Sequence, residues 1–326
     1  MAKSKRKGAR PVRRSRARGR GQNTSPKTHT RAAPARSKAK AHRAPPALRK
    51  SARAASASTL RLPFYLVDAF TRRRLHGNPA AVVVLPGPGA WLPDDLLQAL
   101  AIETSAPATA FVLERPTRAG TVGLRWFTHR GELSLCGHGT LAAAHTLWTH
   151  RGVRDRAVSF ATASSGTIGV ERIGEMYVLD MPSIPGAQVP LTGQLSAALG
   201  VAPTEVYHAG SKLLAVFDNR RHVYALTPSF AALAQLDADG VIVTAPGAGH
   251  DFVSRYFAPR LGLLEDHVTG SSHCTLIPYW SRRLGKKTLF AHQVSRRGGE
   301  LMCEDRGERV RVGGHAITTA EGTLSI

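Results

Sequence analysis

From Leu60 onward the chain alternates short apolar runs with turn residues. FYLVDAF and GNPAAVVVL carry the β-branched and aromatic content of strands and are bounded by turn formers. Pro93-Asp94-Asp95 then opens LLQALAIE, where a first-turn proline and early carboxylates predict a helix to about Glu103. Ala110 to Leu113 and Val122 to Phe127 read as strands. Cys136-Gly-His-Gly-Thr140 leads into LAAAHTLW, which is apolar nearly all round and predicts a buried helix stopping near Gly152.

The second half has the same grammar. Short strands are predicted around Val206 to Tyr207, Leu213 to Phe217, Val223 to Leu226 and Val241 to Thr244. Arg255-Tyr-Phe257 followed by Thr269-Gly-Ser-Ser-His273 repeats Arg125-Trp-Phe127 followed by the Cys136 loop, about 130 residues later. CTLIPYWSRRLG is then a second apolar helix, ending near Gly285 and kinked at Pro278, before a closing meander of ELMCE, RVRVGG, HAITTA and TLSI. This pattern implies an internal duplication. Each copy puts a glycine turn at a helix start, where free backbone N–H groups and the positive end of the helix dipole favour a bound anion. Two such ends facing each other would form a cleft for a small carboxylate.

Charge changes the picture at one end only. The 326 residues hold 45 Lys and Arg against 22 Asp and Glu, but residues 1–60 contain 19 of the basic side chains and no acid. The remainder, with 26 basic and 22 acidic residues, has an ordinary enzyme's balance. The basic segment lacks aromatics and nearly lacks branched aliphatics, so it is expected to be a disordered tail. Its readings are a dispensable extension, a polybasic arm making nonspecific, salt-dependent nucleic-acid contacts, and an organelle transit peptide without the required apolar face. Absent aromatics argue against base-specific binding. The longest apolar stretch, Ala80 to Leu85, is too short to cross a bilayer, and no signal peptide opens the chain, so no membrane contact is expected. Cys136, Cys274 and Cys303 form no CxxC pair, which implies a reducing, cytoplasmic setting. No metal is expected, since the histidines show no zinc spacing, and no nucleotide cofactor, since no GxGxxG or GxxxxGK[ST] occurs.

Several ordered stretches carry a resemblance: Asp68-Ala-Phe70 with Gly77-Asn-Pro-Ala-Ala-Val82; Arg125-Trp-Phe-Thr128 with Glu132 and Cys136-Gly-His-Gly-Thr140; Arg255-x-Phe-Ala-Pro259; Glu265-Asp-His-Val-Thr-Gly-Ser271; and Gln293-x-Ser-x-Arg-Gly-Gly299. From about Phe64 to Ile326 the sequence resembles the PhzF-like (phenazine biosynthesis) family, which shares a fold with diaminopimelate epimerase. The resemblance implies an α+β fold of two pseudo-symmetric lobes, each a β-barrel-like sheet around a central helix, with the active site between them. The lobes would span 61–183 and 184–326, with the last strand able to return to the N-terminal lobe. It also implies a cofactor-independent isomerase or epimerase, commonly homodimeric, that moves a proton on a small carboxylated metabolite. His138 with Gly137 and Gly139 falls on the first substrate loop, Asp266, Gly270 and Ser271 on the second, and Asn78 on the GNP turn of the same cleft. His138 and Asp266 are the catalytic candidates; the other five are substrate-binding candidates.

Two departures bear on mechanism. Cys136 matches a catalytic cysteine of the epimerase relatives, but its second-half counterpart is Thr269, which disfavours a two-thiol racemase. The family's proton-transfer glutamate precedes a Thr-Ala-Phe; here Ala108 stands in that place. A positioned acid or base contributes about 10²- to 10⁴-fold in rate, so the replacement leaves two readings open. One is an isomerase with altered acid–base machinery, the other a noncatalytic small-molecule-binding or interaction protein on the same scaffold. Glu103 and Glu132 rank below His138 and Asp266 as substitutes, and Arg125 and Arg255, each able to bind a carboxylate bidentately, are rather expected to make an inter-strand ion pair or face solvent.

Overall fold

The computed structural model describes residues 59–89, 91–117 and 120–326. The tail's expected disorder and nucleic-acid contacts fall almost wholly outside them. The first half runs β1 (Arg61–Ala69), β2 (Asn78–Leu85), α1 (Asp94–Thr104), β3 (Thr109–Leu113), β4 (Val122–Thr128), β5 (Gly131–Leu133), α2 (Gly137–His150), β6 (Ala157–Thr162), β7 (Thr167–Ile173) and β8 (Met176–Pro182). The second runs β9 (Ala187–Gln188), α3 (Gly193–Leu199), β10 (Glu205–Ala209), β11 (Lys212–Val216), α4 (Arg220–Ala225), α5 (Phe230–Leu233), β12 (Gly240–Pro246), β13 (Phe252–Ala258), β14 (Leu263–Asp266), α6 (Gly270–Leu284), β15 (Thr288–Gln293), β16 (Gly299–Asp305), β17 (Arg309–Gly314) and β18 (Ala316–Ser325).

The duplication is written in the strand pairing. In the first half β1–β2 is antiparallel, β2–β3 parallel, β3–β4 and β4–β5 antiparallel, β4–β6 parallel and β6–β7 antiparallel. In the second, β10–β11, β11–β12, β12–β13, β13–β14, β13–β15 and β15–β16 repeat that series in the same senses. The register equates Ala81 opposite Thr109 with Leu213 opposite Val241, and Phe111 opposite Arg125 with Val243 opposite Arg255. The halves are joined where β8 pairs with β17. They also exchange ends: β18 lies along β1, while β9, which follows the first half, lies along β10.

Each sheet wraps a helix whose composition permits it. In α2 the run Leu141 to Trp148 is buried throughout, and its small Ala142, Ala143 and Ala144 let strands approach closely. In α6 ten residues from Gly270 to Ser281 are buried, with Trp280 stacked flat on Phe252 at 5.6 Å. Among the described residues no helix is long and apolar enough to cross a membrane.

Two local expectations are corrected. Val223 to Leu226 belongs to α4 and its end rather than to a strand, because Asn219 caps the turn by accepting from the Arg221 N–H, and Val223 and Leu226 are buried at helical spacing. HAITTA and TLSI form the single strand β18, whose register against β1 shifts at Leu66/Val67.

Candidate active site between two helix ends

The two central helices point their N-termini at each other. A Cβ added to Gly137 would lie 3.3 Å from the Gly270 Cα, and one added to Gly270 would lie 3.4 Å from the Gly137 Cα. A side chain at either position would press tightly on the facing backbone. The result is narrower than the open cleft read from the sequence: the helix ends touch. Among the described residues, two surface depressions of about 280 and 310 Å³ lie elsewhere, beside Asp239 and Arg260 and beside Glu175 and His315.

The ends are also uncapped. Cys136 and Thr269, at the N-cap positions of α2 and α6, make no side-chain capping bond, whereas Thr192, Asn219 and Ser229 cap the peripheral α3, α4 and α5. Two half-charges of like sign about 4 Å apart repel by about 1 kcal/mol at an effective dielectric constant of 20. An anion seated beside both ends and facing their free N–H groups would turn that repulsion into attraction.

The motif stretches that lie far apart in sequence converge on these ends. Asn78 is fully buried and its Nδ2 donates to Asp266 Oδ1 and to the Val268 carbonyl, each at 2.8 Å. Asp266 Oδ2 accepts from the Thr269 hydroxyl at 2.6 Å. Gln293 accepts from the Thr269 N–H and donates to the Asp266 carbonyl and to Thr269 Oγ1. Arg297 pairs with Asp68 at 2.7 Å and donates to the carbonyls of His76 and Gly77, clamping the GNP turn. In that turn Gly77 has φ +66°, and a Cβ there would lie 2.2 Å from the Ala69 carbonyl oxygen, so the position requires glycine. Phe70 adopts φ +62°, strained for a bulky side chain, and is accommodated because Gly299 and Gly314 leave room around it.

His138, half-buried in the first turn of α2, has its ring 3.6 Å from the Cys136 sulfur. Burial holds the imidazole below its usual 6.5, and the Asp266 carboxylate works against that shift. It is therefore neutral at pH 7 and able to accept a proton. Burial pushes the Cys136 thiol up to about 12, which makes it a poor nucleophile despite its place at a helix end. Gly139 packs under Trp126, since a Cβ there would meet the indole at 2.8 Å and the Cys136 sulfur at 2.9 Å. Ser271 opens α6 with its hydroxyl 3.4 Å from Lys212 Nζ.

All seven candidates thus lie on, or bond to, the segments that meet at the paired helix ends. The weaker candidates do not serve there. Glu103 is exposed. Glu132 takes a bidentate bond from Arg125 at 2.7 and 2.6 Å, and Glu265 takes one from Arg255 at 2.7 and 2.9 Å, so both arginines make the inter-strand pairs expected. Ala108 is fully buried in the core that also holds Trp126 and Cys136. Sequence reading missed Trp126, Lys212 and Tyr256. Trp126 and Tyr256 occupy equivalent positions of the two copies, one before Phe127 and one before Phe257, and that doubling was the available signal. Lys212 gave none, because its copy in the first half is Ala80.

A family model described as phenazine biosynthesis-like protein (PhzC-PhzF) matches residues 67–322. The chain belongs to the PhzF family. It is 46% identical over 268 residues to an uncharacterized isomerase of Pseudomonas aeruginosa, covering 82% of this chain and all of that one. It is 36% identical over 291 residues to a human phenazine biosynthesis-like domain-containing protein, again over 82% of this chain and all of the relative. A crystal structure of a PhzF-family protein from Enterococcus faecalis superposes with a TM-score of 0.78 at 43% identity, covering 82% of this chain and the whole of that one. A predicted epimerase of Pseudomonas aeruginosa, 22% identical, shares the fold with a TM-score of 0.62 over 81% of this chain and 99% of its own. The PhzF-family chain therefore has the diaminopimelate epimerase-like α+β architecture of two pseudo-symmetric lobes.

Proposed function

We propose that this PhzF-family protein is a cofactor-independent isomerase that moves a proton on a small carboxylated metabolite, with residues 61–183 and 184–326 as its lobes. The observation that carries the reading is the meeting of two uncapped helix N-termini at Gly137 and Gly270, with His138 on one and Asp266 beside the other. Removing a proton next to a carboxyl or conjugated system leaves an anion, and preorganised N–H groups stabilise such charge without reorganising. Neutral His138 takes the proton from carbon and returns it to a different carbon or face. Asp266, held by Asn78 and Thr269, favours the imidazolium formed in between. Gly137, Gly139, Gly270 and Ser271 supply the anion-facing backbone. A cytoplasmic homodimer accords with the family's habit, and sedimentation checks the dimer.

Incubating the protein with small hydroxy and keto acids in deuterated water tests the proposal. Deuterium entering the product at carbon is expected, and its absence across the panel counts against proton transfer. The second reading, a noncatalytic binding protein, is favoured by one observation, the fully buried Ala108 where the resemblance puts the family's glutamate. Activity confined to Ala108→Glu would establish that reading.

A further inference from the structure

The two copies differ in charge at Lys212. The register places Lys212, opposite Gly240, where the first half has Ala80 opposite Ala108, so the C-terminal lobe carries an ammonium where the N-terminal lobe carries a methyl group. Lys212 is half-buried, 3.4 Å from the Ser271 hydroxyl and 6.0 Å from the centre of the Tyr256 ring. No carboxylate lies within ion-pair distance of it among the described residues, and the residues outside that set include no Asp or Glu. The Cys274 thiol and then the Asp239 carboxylate act on it at longer range.

A half-buried cation without a counter-ion, at the positive end of a fifteen-residue helix, is unfavourable on its own. The Coulombic part of that cost reverses when an anion arrives, which offsets the lysine's desolvation. Two further groups independently point to a ligand. Trp126 Nε1 and Asn78 Oδ1 are fully buried and have no hydrogen-bond partner, although Trp126 packs at Gly139 on one helix end and Asn78 bonds to Asp266 beside the other. Buried donors and acceptors are seldom left unmade, so these fit a guest that offers both an oxygen acceptor and a donor.

We infer that Lys212, with Ser271 and the first amides of α6, receives the substrate's carboxylate. The inference rests on the proposed function and adds an orientation to it. The anionic end of the substrate belongs to the C-terminal lobe, and the carbon that exchanges its proton belongs to the N-terminal lobe, at His138. Lys212 is thus a substrate-binding residue without a counterpart in the duplicated half.

Titration of the full-length protein with benzoate, and with uncharged benzamide as the control, tests this by amide chemical shifts and calorimetry. Benzoate is expected to move the Gly270 and Ser271 amides. Lys212→Met is expected to weaken benzoate at least about tenfold at an unchanged melting temperature, to leave benzamide unaffected, and to be rescued by Lys212→Arg. Should Lys212→Met fail to fold, Lys212→Gln carries the same criterion. A loss smaller than that, with the same amides shifting, overturns the role of Lys212 and leaves the helix-end site standing. If benzoate shifts neither the Gly137 nor the Gly270 amide in the unmodified protein, the carboxylate site fails together with Lys212.

Discussion

Asp266→Asn removes a charge while keeping the shape of the side chain, and the surrounding bonds set its cost. Oδ1 accepts from Asn78 and Oδ2 from the Thr269 hydroxyl, whose oxygen is itself occupied by Gln293 Nε2 at 3.1 Å. An asparagine retains one acceptor. Whichever way its amide turns, an N–H faces either the Asn78 amide or a threonine oxygen that already accepts a bond. One charge-assisted bond of about 1.5–3 kcal/mol is lost and a buried donor is left unpaired, so the variant is expected to be about 3 kcal/mol less stable. Urea unfolding, with the slope unchanged, should report a midpoint about 1 M lower. Because the Asp266 carboxylate raises the His138 pKa, its loss should also move that imidazole further down in an NMR titration. A cost below about 1 kcal/mol, or a His138 pKa that rises, would refute the network as described.

Gly137→Ala should change the melting temperature little, since reduced unfolded-state entropy of about 0.4–1 kcal/mol offsets the tight 3.3 Å contact. Parting the helix ends should nevertheless cut solvent-deuterium exchange by about tenfold or more, and undiminished exchange would contradict the role of the close approach. Arg255→Lys should cost about 2 kcal/mol in chemical denaturation, because Arg255 also donates to the Val223 and Leu226 carbonyls, and a cost no larger than that of Arg125→Lys would be inconsistent with this. Burial holds His145 and His273 at about 4 rather than 6.5, so unfolded chains bind more protons between those values. Stability is full above pH 6.5 and falls by about 3 kcal/mol per histidine as pH drops to 4, so denaturation midpoints that stay flat across this window would exclude the effect. With its thiol near 12, Cys136 should resist iodoacetamide at pH 7.5, and mass spectrometry showing rapid alkylation would reveal a thiolate.

Much of the architecture was legible in the chain because duplication writes itself twice. Two aromatic strands, two glycine turns and two apolar helices predicted two helix ends able to hold an anion, and the strand pairing repeats accordingly. Local chemistry also foretold the buried α2 and the arginine pairs on β4 and β13. Val223 misled because a six-residue helix has too few positions to display its period. Tertiary structure alone decided what fills the site. Asn78 and Asp266 are 188 residues apart in sequence and 2.8 Å apart in space, and Lys212 on β11 meets Ser271 on α6 across 59 residues of chain. Periodicity reports which face of an element is buried, whereas the partner of a buried polar atom depends on how the two lobes close.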